Sequence, residues 1–282
     1  MKPPWLRIRP PSGKYAEVKA VLAGSSLHTV CQSARCPNQG ECWGSGTATF
    51  LLLGNVCTRG CRFCATPKAS AGLPIDAGEG ARIAEAARRM GLRYVVLTSV
   101  CRDDLPDGGA AHFAACIRAL KEKGFLVEAL VPDFRGNDAC LRAVLAARPD
   151  ILAHNIEVVE RLTPLARDRR ASYRQSLAVL ANAKKAGFTT KSSLMLGLGE
   201  REEEVLRAMD DLRAVGCDIL TLGQYLQPTP AHLPVAEFIA PEAFARLKAI
   251  ALEKGFRFVA SGPFIRSSYR AGELFAEMTA CR

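Results

Sequence analysis

The chain has 282 residues, 49% of them hydrophobic, and a formal net charge of +10. That length gives one or two domains and is enough to bury a core without disulfide staples. Its apolar runs, such as 50–53, are far too short to cross a bilayer, and no apolar region follows Met1-Lys2-Pro3 to mark an export signal. Eleven cysteines without such a signal predict a reducing, cytoplasmic setting and no membrane association. The positive balance calls for an acidic partner, nucleic acid or an acidic protein surface. The basic residues are scattered, without the blocks and interleaved aromatics of an RNA module, so the nucleic-acid signal is weak and no nucleic-acid partner is expected.

Residues 1–46 read as an irregular extension rich in Pro, Gly and Ser, with one short helical stretch near 15–23. Strand-like apolar runs follow at 48–53, 94–100, 126–131, 151–156, 190–196 and 219–226. Helical patterns alternate with them near 79–90, 110–123, 138–147, 173–186, 201–215 and 241–254. Gly91, Gly124, Gly187, Gly216 and Gly255 stand just past these patterns, where a left-handed cap favours glycine. Six strand–helix units in order predict a parallel α/β sheet with helices outside. Six rather than eight predict an open, partial TIM-like β/α barrel. From 256 on, neither helix nor strand continues the repeat. The expected organisation is an N-terminal extension 1–47, a barrel 48–255 and a C-terminal extension 256–282.

Two cysteine triplets dominate the chemistry. Cys57, Cys61 and Cys64 crowd into Cys57-Thr58-Arg59-Gly60-Cys61-Arg62-Phe63-Cys64, and Cys31, Cys36 and Cys42 stand just ahead. A disulfide framework belongs to small secreted scaffolds, not to this chain. A zinc site stays open as a reading, although zinc wants four Cys or His ligands, often as paired C-x2-C. Here the ligands come in threes, and none of His28, His112, His154 and His232 lies in or between the triplets. Three thiolates suit a four-iron cluster that keeps one iron for a ligand that is not protein. Cys101, Cys116, Cys140, Cys217 and Cys281 are spread singly. Cys116, Cys140 and Cys217 read as small buried hydrophobes, and Cys101 as an inert thiol near the barrel mouth.

The second triplet directly follows the first strand, on the face where barrel active sites sit. Polar groups recur at other strand ends: Thr98-Ser99 then Arg102-Asp103-Asp104, His154-Asn155 then Glu157, and Lys191-Ser192-Ser193. Gln224, Tyr225 and Gln227 close the last strand. Recurrence at successive strand ends predicts that these groups line one pocket.

The spacing C-x3-C-x2-C resembles that of the radical S-adenosylmethionine (SAM) superfamily. Val30-Cys31-Gln32-Ser33-Ala34-Arg35-Cys36-Pro37-Asn38, Gly40-Glu41-Cys42-Trp43 and the second triplet together resemble the lipoyl synthase family. So do Arg102-Asp103-Asp104-Leu105-Pro106-Asp107-Gly108-Gly109-Ala110, His154-Asn155-Ile156-Glu157 and Met195-Leu196-Gly197-Leu198-Gly199-Glu200. Gln224-Tyr225-Leu226-Gln227-Pro228-Thr229 and Gly262-Pro263-Phe264-Ile265-Arg266-Ser267-Ser268-Tyr269 complete the likeness, which runs from about Trp5 to Glu273. Two departures stand out. Cys101 occupies a position that is often acidic in the family, and Arg201 follows Glu200 where threonine is usual.

The resemblance implies insertion of two sulfur atoms at carbons 6 and 8 of an octanoyl chain carried on a protein lysine. It implies two 4Fe-4S clusters and S-adenosyl-L-methionine. Cys57, Cys61 and Cys64 would hold the cluster that reduces SAM. Cys31, Cys36, Cys42 and Ser268 would hold an auxiliary cluster consumed as the sulfur source. Asn155 and Glu157 would touch the adenosyl or ribose part, Thr98 and Ser99 the methionine end, and Lys191 the methionine carboxylate. The implied partners are octanoylated lipoyl carrier domains, as in the glycine cleavage carrier protein and the acyltransferase subunits of 2-oxoacid dehydrogenases. A low-potential donor such as ferredoxin or flavodoxin would supply electrons. The competing readings are a radical SAM methylthiotransferase acting on tRNA and a non-catalytic, zinc-stabilised nucleic-acid-binding protein.

Overall fold

The computed structural model describes residues 3–8, 10–269 and 271–272; Cys281 lies outside the described residues. Three short helices come first: α1 (Tyr15–Gly24), α2 (Val30–Ser33) and α3 (Gln39–Gly44). Then strands and helices alternate: β1 (Thr49–Leu52), α4 (Glu79–Arg89), β2 (Tyr94–Ser99), α5 (Ala110–Glu122), β3 (Leu126–Leu130), α6 (Asp138–Leu145) and β4 (Ile151–Ala153). After them come α7 (Thr163–Ala166), α8 (Tyr173–Lys185), β5 (Thr189–Leu196), α9 (Glu202–Ala214), β6 (Ile219–Gln224), α10 (Pro241–Glu253) and β7 (Phe258–Gly262). The strands follow chain order, β1-β2-β3-β4-β5-β6-β7, in an open parallel sheet. No described helix is long and apolar enough to cross a membrane.

Burial explains why these runs became strands. All residues of β1 and β6 are buried, as suits parallel strands covered on both faces. The helices stop where the glycines stand: Gly91, Gly124, Gly187, Gly216 and Gly255 all adopt left-handed φ. Helix starts use side-chain oxygens, with Thr29 capping α2, Asn137 capping α6 and Ser172 capping α8.

The chain falls into two compact units. One comprises Ile8–Arg59, Ala65–Leu152 and the described residues from Ser268 on. In it Phe50 of β1 pairs with Leu97 of β2, which pairs with Ala129 of β3. Helices α4 and α5 meet at Gly80, where a Cβ would stand 3.0 Å from the Cys116 Cα. The other unit comprises the chain's first residues, Gly60–Cys64 and Ala153–Ser267. Its core gathers Leu194, Leu196, Leu220, Leu222, Phe244 and Leu247, with Phe63 packed against it. Cys116, Cys140 and Cys217 are buried, as their helical settings predicted.

Two expectations need correction. The extension before β1 holds more than the expected helix near 15–23: α2 and α3 follow α1, and Trp43 of α3 is fully buried with the Tyr15 ring 5.2 Å away. The stretch after 256 does contain a strand, because Phe258–Gly262 pairs with β6 from Ile219↔Phe258 to Gly223↔Gly262. Among the described residues six strand–helix units are present, and β7 is a seventh strand beyond them.

The segment after β7 crosses back over β6 at Gly223. A Cβ there would lie 2.0 Å from the Ile265 carbonyl oxygen, so only glycine lets the two backbones approach this closely. Gly223→Ala is therefore expected to cost about 1–3 kcal/mol by overpacking and to loosen residues 263–268. Gly262→Ala, whose Cβ would meet nothing nearer than 3.5 Å, should be tolerated. Urea denaturation and limited proteolysis within 263–268 compare the two variants.

Candidate active site

The triplet at Cys57–Cys64 leaves β1 through two successive left-handed residues, Leu53 (φ +66°) and Gly54 (φ +86°). Cys57 is then pinned on both sides of its peptide. Its N–H donates to the Pro67 carbonyl at 2.8 Å, and its carbonyl accepts from Ala69 N–H at 3.1 Å. Next to it, Thr58 N–H and Oγ1 both donate to the Cys101 carbonyl, at 3.0 and 2.9 Å. Arg59 is buried, yet fully paired. It forks onto Asp103 through Nε and Nη2, at 2.8 and 2.9 Å, and reaches Asp133 through Nη1 at 2.8 Å. Burial opposes the guanidinium charge, but the two carboxylates outweigh it and hold Arg59 protonated well above its usual value.

This environment acts on the sulfur. The Cys101 thiol donates to Cys57, the Arg59 N–H lies 3.4 Å from Cys57 Sγ, and the Arg59 charge is close by. Together they pull the Cys57 thiol below its ordinary value despite burial, while Cys101, as the donor of the pair, is pushed up. Cys57 is thus the one of the two that is ready to be a thiolate, the form that ligates metal. Cys101, expected to be inert, is the hydrogen-bond partner of the first cysteine of the triplet. Asp133 was not singled out in the sequence. The signal was there, an acid just past an apolar strand run, as at Asp103.

The other two cysteines of the triplet belong to the second compact unit and are held by different loops. Gly60 N–H donates to Asp168 Oδ2 at 2.7 Å, and Arg62 N–H to the Ala166 carbonyl at 2.8 Å. Asp168 N–H lies 3.4 Å from Cys61 Sγ. Burial nevertheless pushes the Cys61 thiol up to about 11. Arg62 and Cys64 are also tied to the loop after β6: Leu233 N–H donates to the Arg62 carbonyl at 3.1 Å, and His232 Nε2 lies 3.1 Å from the Cys64 carbonyl oxygen. Arg170 forks onto Asp168, which keeps that carboxyl far below the usual range. Asp168 and His232 are loop-holding residues that the motif reading passed over.

The strand-end polar groups divide into two kinds. Thr98 Oγ1 donates to the Leu130 carbonyl at 3.1 Å, a structural bond between strands. Ser99 Oγ, at the end of β2, is buried without a hydrogen-bond partner. Asn155 Oδ1 accepts from Ser267 Oγ at 3.1 Å. Glu157 has a left-handed φ of +69°, and its backbone bridges to β5 through Ser193 and Met195. Burial pushes its carboxyl up, with Arg167 and Asn155 opposing. Lys191 is only 1% exposed, but it is the third residue of β5 and not at the strand's C-terminal end, as the sequence predicted. Gln224 and Tyr225 are engaged with backbone groups. The Gln224 amide bonds the backbone of Leu196, Tyr225, Glu237 and Ile239, and Tyr225 OH bonds the Leu233 carbonyl.

The first triplet has its own shell. Cys31 is buried on α2, which pushes its thiol up to about 11, and the Cys36 charge adds to the rise. Against this, the Thr49 backbone N–H and the Trp43 indole favour the Cys31 thiolate. Trp43 Nε1 is buried and bonds no oxygen or nitrogen, so a sulfur acceptor suits it. Cys42 sits on α3, its carbonyl held by Thr47 N–H and Oγ1 at 2.8 and 3.0 Å. Ser268 reaches the same place from 219 residues away: Thr49 Oγ1 donates to Ser268 Oγ at 2.8 Å. Tyr269 OH donates to Glu41 Oε1, beside Cys42, at 2.6 Å. The adjacent Ser267 bonds Asn155 instead, so the two serines have different partners.

These donor sets fit iron–sulfur clusters. No disulfide joins the described cysteines. An indole N–H without an oxygen or nitrogen acceptor beside Cys31, and an orphaned hydroxyl at Ser99, are the sort of buried polar groups that bound cofactor atoms satisfy. In the metal-free chain at neutral pH, iodoacetamide should alkylate Cys57 faster than Cys61, because alkylation follows thiolate fraction. Cys101→Ala should slow Cys57 labelling by removing its donor. Peptide mass spectrometry of timed samples measures both rates.

Residues 51–212 match the family model described as the Radical SAM superfamily. The chain is 59% identical to the lipoyl synthase of Thermus thermophilus over 99% of its own length and 88% of that protein. It is 56% identical to the lipoyl synthase of an Anaeromyxobacter species, covering 97% of this chain and 95% of that one. In fold it is similar to the FeFe-hydrogenase maturase HydG from Carboxydothermus hydrogenoformans, with a TM-score of 0.58 at 12% identity over 94% of this chain and 77% of that one. Two cysteine triplets on an open parallel sheet, with this degree of identity over nearly the whole length, make the chain a member of the lipoyl synthase family within the radical SAM superfamily.

Proposed function

We propose that this chain inserts two sulfur atoms at carbons 6 and 8 of a protein-bound octanoyl-lysine, giving lipoyl-lysine. The observation that carries the reading is the approach of Ser268 to Thr49, whose backbone N–H favours the Cys31 thiolate. That approach supports a fourth ligand for Cys31, Cys36 and Cys42, drawn from the C-terminal extension 256–282. The same observation favours sulfur insertion over tRNA methylthiolation or a zinc-stabilised binding protein.

Bound at the two triplets, the 4Fe-4S clusters and SAM supply radical chemistry for an aliphatic C–H bond that offers no acidity to a general base. The protein's share is to bind, orient and shield. Cys57, Cys61 and Cys64 would hold the SAM-binding cluster, and Cys57 comes to that task with its thiolate already favoured. Asn155 and Glu157 would meet the adenosyl or ribose part, Thr98 and Ser99 the methionine end, and Lys191 the carboxylate. Ser99 is the best supported of these, since its buried hydroxyl lacks any other partner. The auxiliary cluster would be the sulfur source, with Ser268 as the weakly bound corner. Its alkoxide is harder and more basic than a thiolate, so the iron that it holds should leave most easily.

The substrates in this reading are octanoylated lipoyl carrier domains, such as the glycine cleavage carrier protein or 2-oxoacid dehydrogenase acyltransferase subunits. A +10 chain suits an acidic carrier surface. The electron donor would be a ferredoxin or flavodoxin, and the setting cytoplasmic.

Mass spectrometry of an octanoyl-lysine peptide after anaerobic turnover tests the function directly. Wild type should yield a product that has gained two sulfurs and lost two hydrogens. Cys61→Ala should abolish SAM cleavage, while Cys36→Ala should retain some cleavage and form no lipoyl product. Equal loss of cleavage in both variants would remove the proposed division of labour.

Ser268→Cys separates assembly from sulfur release. It should still load two clusters by iron analysis, because thiolate is the better iron ligand, yet block or greatly slow the first insertion. Wild-type product formation by Ser268→Cys would overturn the weak-corner argument.

A further inference from the structure

Beneath the exit of β1 lies a buried polar cluster that takes no part in the proposed chemistry. Glu79, the first residue of α4, is 6% exposed, and its Oε2 lies 2.6 Å from His112 Nε2 on α5. Cys116, one turn along α5, places its Sγ 3.5 Å from the same nitrogen. Carboxylate, imidazole and thiol invite a metal reading, and the geometry opposes it. Two ligands of one tetrahedral zinc ion stand about 3.3 Å apart, farther than the 2.6 Å measured between carboxylate and imidazole. Glu79 Oε2 is also already engaged, as the acceptor of the Leu53 backbone N–H at 3.2 Å.

Leu53 is where this cluster meets the cysteine loop. It is a bulky residue in the left-handed region, a conformation that persists only when its surroundings over-determine it. Three contacts do so. Glu79 holds its N–H, and Arg102 Nη1 approaches its carbonyl at 3.5 Å. Its side chain seats over Gly109, where a Cβ would stand 2.4 Å from Leu53 Cδ1. Without Glu79, the buried Leu53 N–H would lose its acceptor, and only the long Arg102 contact and the seat over Gly109 would oppose release of the strain. Four residues later the chain reaches Cys57.

We propose that the Glu79–His112 pair is a positioning device for the cysteine loop: Glu79 holds the left-handed Leu53 and so sets the path on which the chain leaves β1 towards Cys57. His112 acts through Glu79, fixing the carboxylate that would otherwise be free to rotate away from Leu53. The consequence for turnover rests on the function proposed above; the effect on the loop does not.

Hydrogen exchange of the metal-free chain, followed by mass spectrometry, tests the loop directly. In Glu79→Ala and His112→Ala, amides within 53–59 should exchange about ten-fold faster, with those of β2 and β3 unchanged. His112→Gln, which keeps an N–H for Glu79, should restore exchange to within about two-fold of wild type. Equal acceleration across β1, β2 and β3 would mean an ordinary core pair and overturn the proposal, as would unchanged exchange in 53–59. Should Glu79→Ala fail to fold, the contrast between His112→Ala and His112→Gln decides by the same criteria. In the cluster-loaded enzyme, His112→Ala should raise the amount of SAM cleaved per lipoyl product, and His112→Gln should restore the wild-type ratio. An unchanged ratio in His112→Ala would confine the pair to stability and sink the positioning role. If wild type cleaved no SAM at all, the functional reading would fail while the exchange result still stood.

Discussion

A guanidinium cannot sit out of water unless carboxylates surround it, and Arg59 is 5% exposed. That requirement organises the loop around Cys57. Arg59 gathers Asp103 from the segment after β2 and Asp133 from the segment after β3, so the cysteine loop is bound to two neighbouring strand ends at once. The same interaction brings Thr58 onto the Cys101 carbonyl and leaves the Cys101 thiol facing Cys57. A loop that must present thiolates has flexible alternatives, and the buried ion pairs remove them. The cost of leaving that charge half-paired, several kcal/mol, is what makes the arrangement unique.

Each triplet is thereby supported by a different physical device. Around Cys57 the support is ionic and buried. Around Cys31, Cys36 and Cys42 it is aromatic and hydroxylic, with Trp43 against the sulfur and Thr49 linking Cys31 to Ser268. Hydrogen bonds, first of all from the Cys101 thiol, draw the Cys57 thiol down with the Arg59 charge adding to them, whereas burial pushes the Cys31 thiol up.

Much of this was legible before any coordinates. The strand runs and helix patterns agree with the observed elements to within a few residues because most of the buried parallel strands are largely apolar and a glycine follows five of the longer helices. β7 was missed because Phe258–Gly262 is mostly half-exposed and ends in Ser-Gly, which carries no strand signal. α2 and α3, with 4 and 6 residues, are too short for periodicity to register. Polar residues at strand ends proved a mixed guide. Ser99 fits a site, whereas Gln224 and Tyr225 spend their hydrogen bonds on the backbone of the following loop. Sequence order also hides pairings across space, such as Glu79 with His112 and Gly60 with Asp168, which lie 33 and 108 residues apart.

The contact between Thr49 and Ser268 spans 219 residues, and this has a bearing on biosynthesis. A ribosome delivers the first triplet well before Ser268. The nascent chain therefore carries three thiols before the hydroxyl that meets Thr49 exists. A chain stalled before Ser268 would carry the three thiols without the contact that Thr49 makes with the far segment.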